Sequence, residues 1–191
     1  MDIFGIIKST PLADLIIVGL LAGAFILGIM QGAVRVLASI VAIFVAFLVA
    51  ANLRDPVGRF LADNWTQFPA AYNHMLAFLL IFLILSVIAV GVIILRVRRT
   101  PLYPQRPVVD DILGGVLGLL EGFLILLFLI IILGSFKMPE PFQGEIGPIR
   151  DLHNVLIDQS HIAGALKSGV APGFVHLLSA MLPSDLVAMF P

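Results

Sequence analysis

The stretch DDILGGVLGLLEGFLILLFLIIILGSF, residues 110–136, decides the fold of this chain. Its apolar part, 112–136, is longer than the roughly 20 helical residues needed to cross about 30 Å of hydrocarbon. Lipid offers no hydrogen bonds to an open strand, so such a segment spans the bilayer as a helix. Near its middle the segment carries a carboxylate, Glu121, which membrane helices rarely contain.

Three further apolar stretches precede this one, and the composition of the chain agrees with a lipid environment. Of 191 residues, 60% are hydrophobic and 12% are charged, whereas soluble domains contain about half and about a quarter. The sequence therefore predicts an all-α membrane protein in which residues 1–136 form a four-helix transmembrane domain. Its spans are predicted at about 12–30, 33–51, 72–95 and 112–136.

The remaining segment, 137–191, differs in composition. It begins with a linker that contains Pro139, Pro141 and Pro148. Short amphipathic helices follow, and they are predicted to lie on the outer membrane surface or to cover the outer end of the bundle. Ser160 is positioned to cap one of them. The predicted apolar faces comprise Ile149, Leu152, Val155 and Leu156; Ile162 and Leu166; and Phe174, Val175, Leu178, Met181 and Leu182.

The orientation of the chain follows from the distribution of arginine. The densest positive cluster lies between the third and fourth spans and consists of Arg96, Arg98, Arg99 and Arg106. The positive-inside rule places that loop in the cytoplasm. Alternation then places the N-terminus, a loop at 52–71 and the C-terminal segment outside. Alternatively, the basic loop binds anionic lipid headgroups.

Glycines at helical spacing indicate where two helices approach closely. On the fourth span, Gly114, Gly118 and Gly122 recur every four residues and share one face. Gly28 and Gly32 repeat the pattern at the end of the first span. Such faces let backbones pack without intervening side chains, within one chain or between copies.

Glu121 is predicted to lie near the middle of the membrane, roughly 13 Å deep at 1.5 Å per residue. A charged carboxylate at that depth costs about 2.5 to 3.5 kcal/mol on insertion scales, so a partner is expected. Ser86 on the third span lies at nearly the same depth, and Ser39 and Arg35 on the second lie shallower. The other acid inside a span is Asp14, near the outer end of the first.

Two roles for Glu121 are compatible with the sequence. In the first, the side chain is protonated and hydrogen-bonds Ser86 or a backbone carbonyl as a tie between helices. In the second, it titrates or contacts ions along a polar pathway through the membrane.

Other chemistry is not indicated by the sequence. The formal net charge is −1, so nucleic acid is not an expected partner, and the lack of cysteine removes disulfides and thiol chemistry. No zinc-protease, serine-hydrolase or phosphate-binding motif occurs, and we expect no catalytic, cofactor or metal site. The polar residues of the tail are interpreted as helix caps and wet-surface groups: His153, Asp158, Ser160, His161, Ser184 and Asp185.

Three motifs spread over the chain combine into one pattern. They are Asp14 at the start of a helix that ends at Gly32 and is followed by Val34 and Arg35; Asp110 with Gly114, Gly118 and Gly122; and Ser160-His161-Ile162. Together they resemble the colicin V production protein (CvpA) family. The chain departs from that pattern where members often carry a basic residue, at Gln31 and Glu121, and where they often carry an acid, at Val36.

The resemblance implies a multi-pass inner-membrane protein associated with the production or export of a peptide toxin and with envelope physiology. We expect a non-enzymatic scaffold or accessory factor that works in the lipid bilayer with further copies of itself or with other membrane proteins. The alternative is a small oligomeric channel or transporter subunit that uses Glu121 in a polar pathway.

Overall fold

Four long helices and a helical tail make up the structure, a computed structural model that describes residues 11–66, 68, 70–97, 107–135 and 160–190. The long helices are α1 (Leu12–Gln31), α2 (Ala33–Asn64), α3 (Ala70–Arg96) and α4 (Pro107–Gly134). All four are long and apolar enough to cross a membrane, and every regular element in the described ranges is a helix. The predicted all-α membrane fold with four transmembrane helices is confirmed.

The outward faces of these helices carry large apolar side chains. Leu20 on α1, Val41 on α2, Val87 on α3 and Val116 on α4 are 66%, 59%, 71% and 56% exposed. Extended apolar patches are rare on proteins surrounded by water. In a bilayer the same side chains meet hydrocarbon, so this belt is the lipid-facing surface of the protein.

A single residue, Gly32, connects α1 to α2. Its φ of 82° and ψ of 156° lie in a region that is nearly restricted to glycine. The Gly32 amide still donates to the Gly28 carbonyl at 3.0 Å. Helix α1 therefore ends with its backbone bond satisfied, and α2 begins at the next residue.

Helix α2 is longer than its predicted span. The predicted outer loop at 52–71 is wrong over most of its length, because α2 continues to Asn64 and α3 begins at Ala70. Packing sustains the extra turns, and it does so despite Pro56, which removes one helical hydrogen bond. Buried residues keep the helical spacing across the junction: Phe47, Ala50, Ala51, Arg54 and Gly58.

Aromatic rings fill the centre of the bundle. The rings of Phe47 and Phe128 stack with centroids 4.2 Å apart and an interplanar angle of 9°. Phe78 and Phe82 pack on Phe47 with centroid distances of 5.6 and 6.3 Å. Helix α2 packs along α3, and α1 joins the bundle mainly through α4.

The tail consists of α5 (His161–Ala165), a π-helical segment (Leu166–Val170), α6 (Ala171–Leu177) and α7 (Ser184–Ala188). Ser160 caps α5 as predicted, because its Oγ accepts a hydrogen bond from the Ala163 amide at 3.0 Å. Val175 and Leu186 enter the same apolar core as the phenylalanines of the bundle. The tail thus covers one end of the bundle. The predicted face at 149–156 lies outside the described residues.

Candidate functional site

The predicted glycine faces of α1 and α4 lie against each other and form what we term the glycine seam: Gly28, Gly32, Gly114 and Gly118. A Cβ added to Gly28 would lie 2.9 Å from the Gly118 Cα, and one added to Gly114 would lie 3.2 Å from the Gly32 Cα. The next glycine, Gly122, faces Ala24. These distances leave almost no room for side chains, so the two backbones touch and gain dispersion contacts directly. In the structure, these glycines pack helices of the same chain against each other.

Asp14 on α1 holds the start of the tail. Its carboxylate accepts hydrogen bonds from the Ser160 hydroxyl at 2.5 Å, the His161 amide at 3.3 Å and the Ile162 amide at 3.2 Å. Asp14 and Ser160 are only 5% and 4% exposed. The amides at a helix start lack partners within the helix and favour a negative charge, so the buried carboxylate is compensated. Asp14 therefore joins the bundle to the tail.

A group of ionisable side chains, which we term the Arg54 cluster, lies where α2, α3 and α7 meet: Arg54, Asp55, His74 and Asp185. The Arg54 guanidinium is 4% exposed and donates to the Asp185 carboxylate. Arg54 Nε lies 3.5 Å from the Asp55 carboxylate, which in turn lies 3.2 Å from His74 Nδ1. The cluster lines a cleft of about 260 Å³. Arg54 lies between the carboxylates of Asp55 and Asp185, and Asp55 contacts His74, so the cluster links the last tail helix to α2 and α3.

None of these four residues stands out in the sequence as a site. Arg54 and Asp55 lie in a stretch whose charge is typical of a loop, and Asp185 is typical of a helix start. The available signal is the helical spacing of small residues around Arg54, namely Ala50 and Gly58, which marks a buried face that continues past the apolar run.

Glu121 lies in a crevice of about 490 Å³ between α1, α3 and α4, together with Gln31 and Ser86. The Ser86 Oγ and the Gln31 Oε1 are buried and have no hydrogen-bond partner. No ion pair or hydrogen bond reaches the Glu121 carboxyl from the described residues. Of the two partners predicted for Glu121, Ser86 is not bonded to it, although both side chains line the same crevice; a bond to a backbone carbonyl stays a prediction. The crevice therefore holds three polar groups, a carboxyl, a carboxamide and a hydroxyl, in apolar surroundings.

The other predicted polar residues have separate positions. Arg35 Nε donates to the Val97 carbonyl at 2.8 Å, just beyond the end of α3, and does not pair with Glu121. Ser39 is fully buried, and its Oγ has no partner. Arg96 lies exposed in the last turn of α3. Outside the described residues lie Arg98, Arg99 and Arg106.

The fold brings the separate sequence motifs into contact, since Asp14 meets Ser160 and the seam joins the glycines of α1 and α4. A family model described as colicin V production protein matches residues 13–171, which include all of these positions. Comparisons with curated proteins and with solved structures give no significant match. The chain is therefore a multi-pass membrane protein that belongs to the colicin V production protein family.

Proposed function

We propose that the chain is a non-enzymatic scaffold or accessory protein of the bacterial inner membrane, which supports the production or export of colicin V-type toxins and the maintenance of the envelope. The family match supports the connection with toxin production. The scaffold role rests on one observation: the buried charged groups Asp14 and Arg54 are used as ties between bundle and tail. Fully satisfied buried polar groups make a fold more rigid, and the Asp14 carboxylate accepts three hydrogen bonds from the tail, which suits a protein that holds partners in place.

The interior of one copy offers no continuous polar route among the described residues. The stacked rings of Phe47 and Phe128 occupy the centre, and α1 and α4 touch along the glycine seam. Glu121 lines a crevice beside α1, whereas Arg35 binds the end of α3. This separation of the polar groups favours a scaffold over a conduit.

The proposed orientation places the tail, with both termini, on the outer side of the inner membrane. The tail contacts the start of α1 through Asp14 and the end of α2 through Arg54. Arg96 lies at the end of α3, and successive membrane helices alternate in direction, so the arginine-rich side is opposite the tail. In intact cells, a membrane-impermeant maleimide should label His176→Cys and leave Arg96→Cys unlabelled. The reverse pattern would refute this orientation.

The functional proposal is tested by deletion in a colicin V-producing strain. The deletion should lower toxin activity in the medium, and toxin should accumulate inside the cells if export is the affected step. The full chain should restore secretion, and so should the exposed-site control Asp63→Ala, whereas Asp14→Ala, which loosens the tail, should restore it poorly. Unchanged secretion after deletion would contradict the proposal.

The second candidate function is a small oligomeric channel or transporter subunit, favoured by the crevice that Glu121 shares with Ser86 and Gln31. Several copies would have to join their crevices to form a pore. The chain has no cysteine, so Ser86→Cys and Glu121→Cys can each be labelled without background. Rapid reaction of both with a small membrane-impermeant maleimide supports a water-filled path. Protection of both, with His176→Cys reactive, supports the scaffold.

A further inference from the structure

Two crevices adjoin along α1 and form one depression, which we term the α1 groove. The first crevice, about 310 Å³, is lined by α1 from Ile17 to Leu27 and by α4. The second is the 490 Å³ crevice of Glu121, which reaches Gln31 and is bounded by α3. At 1.5 Å per residue the α1 groove is roughly 20 Å long, or about four helical turns. Both crevices are lined by Ala24, Leu27, Gly122 and Ile125.

The α1 wall of this groove can be approached by another backbone. Gly19 and Gly23 lie four residues apart on it, and a Cβ added to either would meet nothing within 4 Å. Gly28 differs, because its added Cβ would lie 2.9 Å from the Gly118 Cα. Helix α1 therefore carries two sets of glycines, one filled by α4 and one open. An open pair at this spacing is the surface on which membrane helices pack most closely.

The polar part of the groove contains no cation among the described residues that line it, although the Gln31 carboxamide and the Ser86 hydroxyl can donate hydrogen bonds. Glu121, the Gln31 Oε1 and the Ser86 Oγ present oxygen atoms to it, and none of them has a partner among the described residues. A lysine ammonium or an arginine guanidinium carries several N–H donors and a positive charge. Such a group would satisfy the carboxylate and the neutral acceptors together.

Other occupants satisfy these acceptors less well. A lipid acyl chain has no donor, and a phospholipid headgroup remains at the interface, whereas Glu121 lies roughly 13 Å deep. A second copy of this chain is also poorly suited. Its deepest described cation, Arg35, lies near the start of α2 and already donates to the Val97 carbonyl.

We propose that the α1 groove binds a transmembrane helix of a different membrane protein, with a Lys or Arg near the middle of that helix paired to Glu121. The open glycines of α1 supply the close approach, and Glu121 supplies the selectivity. This inference rests on the proposed function, because an accessory protein must bind the machinery that it supports.

The test uses photo-crosslinking in native membranes of the toxin-producing strain. A benzophenone amino acid replaces Leu27, which is 55% exposed and lines the groove, or Ile26, which is 57% exposed and does not. The Leu27 probe should give a crosslink to a membrane protein that has a Lys or Arg within the crosslinked span, and the Ile26 probe should not. Glu121→Lys should reduce that crosslink by about tenfold or more, because it places like charges together.

Charge exchange completes the test. Changing the partner's basic residue to Glu should restore the crosslink to the Glu121→Lys chain. The near-isosteric Glu121→Gln variant removes the charge with little change in shape, and its crosslink should be weakened. The abundance of each variant in the membrane is measured as well, so that a lost crosslink is not mistaken for misfolding. The inference would be overturned if the Leu27 probe gave no product, or if it crosslinked only to a second copy of the chain or only to lipid. A crosslink that is equally strong in the Glu121→Lys chain would also overturn it.

Toxin secretion measured in the same strains separates this inference from the functional proposal. If deletion of the chain leaves secretion unchanged, the functional proposal fails whatever the crosslinks are. If secretion depends on the chain and the Leu27 crosslink does not respond to charge at position 121, only the docking inference fails.

Discussion

Asp14 and Ser160 are 146 positions apart in the chain, and the Ser160 hydroxyl donates to the Asp14 carboxylate across 2.5 Å. The same hydroxyl accepts a hydrogen bond from the Ala163 amide. A carboxylate on a membrane helix and a serine cap on the tail thus share the start of α5. Two of the motifs that characterise the chain are therefore parts of one structural joint.

Removal of the Asp14 carboxylate should release the tail. Asp14→Ala leaves the Ser160 hydroxyl and the amides of His161 and Ile162 without their acceptor, at a cost of about 1–3 kcal/mol. Limited trypsin digestion at Lys167 and hydrogen exchange of the α5 amides should both accelerate.

Two variants control this experiment. Asp14→Asn keeps an oxygen acceptor and should show a smaller effect, and Asp63→Ala, at an exposed acid, should show none. Equal protection of α5 in Asp14→Ala and in the unmodified chain would show that the joint does not hold the tail.

The glycine seam should not tolerate a methyl group. Gly28→Ala places a Cβ 2.9 Å from the Gly118 Cα, and overpacking of this kind costs about 1–3 kcal/mol. Thermal unfolding in detergent, followed by circular dichroism, should begin at a lower temperature. At Gly91 on α3 nothing lies within 4 Å of an added Cβ, so Gly91→Ala should be neutral or stabilising. If Gly28→Ala and Gly91→Ala lowered the unfolding temperature equally, the cause would be a general effect of replacing glycine by alanine and not the close packing of the seam.

The elements of this protein were predictable from local sequence, whereas its joints were not. The thickness of the hydrocarbon core fixes the length of a spanning helix, so an apolar run such as the one around Glu121 can be recognised as a span from its length alone. The extension of α2 was missed because Arg54 suggests water, and its burial becomes understandable only with the carboxylates of Asp185 and Asp55 beside it. The position of Asp14 was predictable, but its function was not, because nothing near it in the sequence points to Ser160.

The contact between Arg54 and Asp185 should contribute modestly to stability, even though Arg54 is buried. Asp185 is 53% exposed, so solvent screens the pair, and a double-mutant cycle should give a coupling of about 1 kcal/mol or less. Arg54→Met and Asp185→Asn, singly and together, can be compared by chemical denaturation in detergent.

The two single variants should lower the free energy of unfolding for different reasons. Arg54→Met should cost less than expected for a buried pair, since Asp185 can return to water. Asp185→Asn should leave Arg54 with only Asp55 nearby, at 3.5 Å. A coupling of several kcal/mol would mean that the membrane interface, instead of water, surrounds the pair.

Variants of Arg35 can distinguish two roles of a positive charge in this chain, which are to orient the helices in the membrane and to stabilise their packing. Its Nε donates to the Val97 carbonyl at 2.8 Å, and a charged donor to the carbonyls at a helix end contributes about 1.5–3 kcal/mol. Arg35→Met should therefore accelerate hydrogen exchange of the last α3 amides and lower the free energy of unfolding. Arg96→Met removes the same charge from an exposed site in the last turn of α3 and should leave exchange nearly unchanged.

If both variants accelerated exchange equally, net charge at the helix end would explain the effect, and the bond to Val97 would have no separate role. If only Arg35→Met did so while maleimide labelling of His176→Cys persisted, Arg35 would stabilise the packing of α2 on α3 without deciding the orientation of the chain.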